Sequence, residues 1–128
     1  MRTVYQTMQD LKLINKDLVD IASKLSTIQK ITNVEPMQYT ARLMWESLYN
    51  VQEALLYVQQ FCEDSSENRC TKQSIPLSSK ELGSLYQAIE QAMFHLRQIQ
   101  SSNNISFMRK TAIECCKNLE KAFLYFHR

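Results

Sequence analysis

The chain has 128 residues, with one glycine, two prolines and 45% apolar side chains. So few turn formers exclude a many-stranded β protein, and that apolar content excludes a disordered one. Fifteen basic against 13 acidic residues leave a formal charge of +2, too balanced to call for nucleic acid or an anionic membrane as partner.

The first helix is expected near residues 3–32. Val4, Leu11, Ile14, Leu18, Ile21, Leu25 and Ile28 recur at spacings of three and four after the first gap, where Met8 fills in. That spacing lines one stripe of a helix and leaves no period-two alternation for a strand. At 1.5 Å per residue such a helix is about 45 Å long, so one end is expected to project beyond shorter neighbours. TNVEPM follows, with Asn33 as terminator and Pro36 at the first position of the next helix.

The second helix, near 36–62, carries Met37, Ala41, Met44, Leu48, Val51, Leu55, Val58 and Cys62 in an unbroken 4-3 alternation. It also has apolar residues that this seam does not use. With Ala41 at heptad position a, Tyr49 and Leu56 fall at b and Leu43 and Tyr57 at c, all facing away from the core. Trp45 flanks the stripe. Aromatic side chains of this kind are enriched at interface cores, and a contiguous apolar patch on one helix implies either a partner or a second side of the helix wrapped by the first helix or the long connection.

A polar connection spans residues 63–77 and is long enough to cross one end of a bundle. It holds Cys70, eight residues after Cys62. In an oxidising compartment Cys62–Cys70 is the pairing that proximity favours; in a reducing one both stay free thiols. The third helix, near 79–101, opens on LSSKEL. Ser78 and Glu81 form a capping box there, and Leu77 and Leu82 occupy the positions of a hydrophobic staple. Its stripe is Leu82, Leu85, Ile89, Ala92, Leu96 and Ile99, with Phe94 outside it and Gly83 suited to close helix approach.

The fourth helix, near 105–126, is capped by Asn104 and carries Ile105, Met108, Ala112, Cys115, Leu119, Ala122 and Phe126. Cys115 belongs to the seam and reads as apolar filling. Cys116 lies about 100° around, and neighbours on a helix lack the geometry to bridge each other. A metal site would need further ligands, yet no seam position is acidic and no CxxC, HxxxH or ExxH pairing occurs. No metal and no other cofactor are expected. Lys110, Lys117 and Lys121 form a cationic stripe beside Arg109, but Glu114 and Glu120 share that helix, which argues against nucleic acid.

The expected fold is therefore all-α: a single-domain antiparallel up-down-up-down four-helix bundle over residues 1–128. One glycine rules out a glycine-rich phosphate loop, and His95 stands without a nucleophile in register, so no enzymatic activity is expected. No small-molecule substrate is inferred either, since Met44, Met93 and Met108 serve as core filler before they serve as a ligand cavity. No apolar run reaches the ~20 residues of a membrane span. With MRTVYQTMQDLKL lacking the apolar stretch of a secretory signal, the expectation is a cytoplasmic protein. Its expected role is that of a protein-interaction module, an adaptor, chaperone or inhibitor-like binder. It would engage another protein or itself as a homodimer through Leu43, Trp45, Tyr49, Leu56 and Tyr57. The competing reading is a secreted or surface-exposed helical ligand or virulence-type factor held by Cys62–Cys70.

Overall fold

Four apolar stripes at helical spacing need a common interior, and a computed structural model shows how they share one. It describes residues 4–63 and 77–126. These form four helices, α1 (Val4–Ile28), α2 (Val34–Glu63), α3 (Ser79–Gln100) and α4 (Ile105–Leu124), with no strand among the described residues. Contacts run α1 to α2, α2 to α3, α3 to α4 and α4 back to α1. The result is the antiparallel up-down-up-down four-helix bundle that the short first and third connections require.

The core is the sum of the stripes. Leu11 to Ile28 on α1, Met37 to Val58 on α2, Leu82 to Ile99 on α3 and Met108 to Ala122 on α4 are buried at every seam position. Met8, Ile105 and Phe126 close the ends as half-buried contacts. Large and small side chains are distributed unevenly. α1 contributes leucine and isoleucine throughout, whereas Ala92, Ala112, Cys115 and Ala122 thin the α3–α4 interface. There the backbones approach closely enough for the Cys115 thiol to donate to the Ala92 carbonyl at 3.4 Å. α4 accordingly packs more closely on α3 than on α1.

Helix ends follow local chemistry. At α3 the Glu81 amide donates to Ser78 Oγ at 3.1 Å, and the Ser78 amide donates to Glu81 Oε1 at 3.0 Å. Both halves of the capping box are thus made, and Leu77 and Leu82 are buried beside it. At α4 the Phe107 amide donates to Asn104 Oδ1 at 3.1 Å. α4 ends two residues earlier than its periodicity suggests, in a turn where the Phe126 amide donates to the Phe123 carbonyl.

The junction of α1 and α2 differs from expectation. α1 stops at Ile28 instead of residue 32, because Lys30 and Ile31 turn back on the carbonyls of Thr27 and Ile28. Asn33 begins the next helix instead of ending the last: its carbonyl accepts from the Met37 amide at 3.4 Å. Pro36 is then the third residue of α2, where the missing amide hydrogen has no helical partner to lose. α1 is thereby about 37 Å long and α2, at 30 residues, about 45 Å. The longest helix is the second, and α1 is longer than α3 and α4 by only three and five residues. Whether the 63–77 connection crosses a bundle end, and whether Cys62 meets Cys70, lie outside the described residues.

Candidate interaction surface

The geometry of α2 divides the five interface candidates between two faces. At 100° per residue, Trp45, Tyr49 and Leu56 fall within about 40° of each other. Leu43 and Tyr57 lie about 80–120° further round, on the side that α2 shares with α1. Leu43, Tyr49, Leu56 and Tyr57 are all exposed, and Trp45 is half-buried against the core. Their exposure agrees with their heptad positions; their continuity as one strip does not.

The first group is organised by α3. Trp45 and Tyr49 stack with ring centroids 5.6 Å apart and planes 19° from parallel. The Arg97 guanidinium sits over the Trp45 ring, 4.7 Å from its centroid, a cation–π contact across the seam. Further along, a Cβ at Gly83 would meet Gln59 Nε2 at 3.6 Å, so a small residue is accommodated there without being strictly required. These two contacts set the register of the antiparallel pair to within a side-chain length: Trp45 lies near the level of Arg97 and Gln59 near that of Gly83. Tyr49 then lies near the level of Met93 and Phe94, and Leu56 near that of Tyr86.

On the outer face of the α2–α3 layer, Tyr49 is 46% exposed, Leu56 48% and Phe94 57%. Beneath them Met93 is buried, and Gln52 is 8% exposed with its Nε2 unpartnered. The charged side chains of the face are Arg42, Glu46, Glu53, Glu90 and Arg97, with Glu46 paired to Arg42. Sequence reasoning missed Glu90 and Arg97. Their signal was a seven-residue spacing, two helical turns, that places them with Phe94 on one side of α3.

Other candidate groups resolve into structure. Cys115 is buried, and its thiol is pushed up to about 12 by burial and then by neighbouring Cys116. Cys116 is half-buried and raised by burial and then by the charge of Glu120. Both are free thiols. A thiolate is the reactive form, so neither is activated. On the cationic stripe, Arg109 Nη2 donates to the Ile31 carbonyl at 3.2 Å, tying α4 to the end of α1. Lys117 pairs with Glu114 at 3.4 Å. His95 Nδ1 is 3.3 Å from Gln98 Oε1 and its ring meets Phe94 edge-on. Among the described residues no three His, Cys, Asp or Glu side chains converge as metal ligands, and no helix is long and apolar enough to cross a membrane. No protein-family model, curated protein or solved structure matches the chain.

Proposed function

We propose that the protein is a helical interaction module, an adaptor, chaperone or inhibitor-like binder that holds protein partners on the outer face of its α2–α3 layer. One observation carries this reading. Tyr49, Leu56 and Phe94 remain about half exposed on a face whose neighbouring seam positions are buried, and the Trp45–Tyr49–Arg97 stack holds the aromatic part of that face in place. Pre-ordered aromatic area costs little side-chain entropy on binding, which is why such residues dominate interface energetics. Leu43 and Tyr57 belong to a separate face and support the reading less. The proposal assigns no catalytic step and places the protein in the cytoplasm, where the free thiols Cys115 and Cys116 are at home.

The test compares proteins retained from a lysate by the wild type and by Tyr49→Glu/Leu56→Glu, with circular dichroism on both. A set of partners lost from the double variant, at unchanged helicity, is the expected result. Identical retained sets would remove the face from consideration.

A further inference from the structure

The charges on the α2–α3 face are arranged in a way that a hydrophobic patch alone would not need. Arg42 and Glu53 stand eleven residues apart on α2, three turns, so they share one side of the helix about 16 Å apart. Glu90 and Arg97 stand seven residues apart on α3, two turns, about 10 Å. Because the helices are antiparallel, Arg42 and Arg97 lie at the same end of the face, and Glu53 and Glu90 share the opposite end. All four are exposed. Between these ends lie Tyr49 and Phe94, together with Glu46, which Arg42 of the same chain holds at 3.4 Å.

The two charge pairs are also centred close together. That of Arg42 and Glu53 falls between Ser47 and Leu48; that of Glu90 and Arg97 falls between Met93 and Phe94. With Trp45 near the level of Arg97 and Gln59 near that of Gly83, these midpoints lie within about one helical turn of each other along the bundle, roughly 5 Å. A two-fold axis through that level, lying in the face and perpendicular to the helices, turns the face onto itself with its ends exchanged.

We propose that the occupant of this face is a second copy of the chain, docked α2 on α2 and α3 on α3 about that axis. This rests on the reading of the face as an interaction surface and names its partner. Arg42 of each copy meets Glu53 of the other, Arg97 meets Glu90, Tyr49 and Phe94 fill the middle, and Leu56 lies just beyond the Glu53 end. A two-fold interface must be self-complementary in this way. Composition agrees: the cations here are arginines, and lysine, which interface cores disfavour, is missing from the face. The opposite α1–α4 face also exposes Val19, Ile113 and Leu124, but Lys12 and Lys117 share it. Arg42 reaches Glu46 within its own chain at 3.4 Å, and an exposed pair of that kind is cheaply exchanged.

The face from Arg42 to Gln60 is about 27 Å long and two helices, about 20 Å, wide, so a dimer buries on the order of 1,000 Å² in total. That is the lower limit of a specific interface, and the expected association is micromolar. Sedimentation equilibrium of the full chain should therefore show one chain passing to two across micromolar concentrations. Arg42→Glu and Glu53→Arg should each weaken the dimer roughly tenfold or more. Combined in one chain they restore the pair with signs exchanged, and association should return. Circular dichroism of each variant monitors the fold.

A wild type that stays a single chain up to millimolar concentration overturns the proposal, as does a dimer indifferent to these swaps or a double swap without recovery. Failure here leaves the broader reading intact if Tyr49→Glu/Leu56→Glu still loses captured partners. If capture is also unchanged, both fall.

Discussion

Cys115 and Cys116 are neighbours in sequence and occupy different chemical worlds. One helical step of about 100° takes the side chain from a fully buried seam position to the half-buried flank. Burial withholds water from the Cys115 thiolate, so the folded protein keeps this thiol neutral up to about pH 12 against an ordinary value of 9.0. Between those values the unfolded chain has given up the proton and the folded one has not. The unfolded state binds fewer protons, so stability falls as pH rises through this window and is unaffected by the group below it. The full slope is about 1.4 kcal/mol per pH unit. Denaturant unfolding at pH 8.5 and 10.5 should show the wild type losing about 2 kcal/mol more than Cys115→Ala over that interval. Parallel losses in the two proteins would mean that the thiol is not held neutral. The same burial predicts that Cys115 stays unmodified by thiol reagents in the native protein.

At the scale of the helix, legibility depended on how local the controlling interaction is. The capping box at Ser78 and Glu81 is made by residues three apart, so its pattern was fully visible in LSSKEL, and both of its hydrogen bonds are present. Ser78→Ala should cost about 1 kcal/mol in thermal or denaturant unfolding, with Ser78→Thr losing less; an unchanged midpoint for the alanine variant would show the cap to be idle. The α1–α2 junction was misread for the converse reason. Asn33 is equally acceptable as the end of one helix or the start of the next, and Pro36 is tolerated throughout the first turn. The turn of Lys30 and Ile31 onto the carbonyls of Thr27 and Ile28 makes the choice, and it is accompanied by a tertiary contact: Arg109, from the far end of the chain, donates to the Ile31 carbonyl. No window of sequence around Asn33 contains that information. The five interface candidates show a similar limit. Exposure of Tyr49 and Leu56 followed from heptad position alone, but their grouping with Phe94 and Arg97, and their separation from Leu43 and Tyr57, required the register between α2 and α3.

The whole molecule was legible as a bundle because its seams are nearly free of exceptions. At the described seam positions every side chain is buried or half-buried, so pattern, propensity and packing agree on one architecture. Function was less legible. Surfaces are under fewer constraints, and an exposed tyrosine has no periodic signature of its own. What distinguishes the α2–α3 face is the coincidence of half-exposed aromatic area, an ordered Trp45–Tyr49–Arg97 stack, and charges whose two pairs are centred close together. The most direct measurement is the mass in solution, by light scattering over a concentration series, of the wild type beside Tyr49→Glu/Leu56→Glu. The wild-type mass should rise from one chain towards two while the double variant, equally helical, stays at one. A rise of equal extent in both would contradict it.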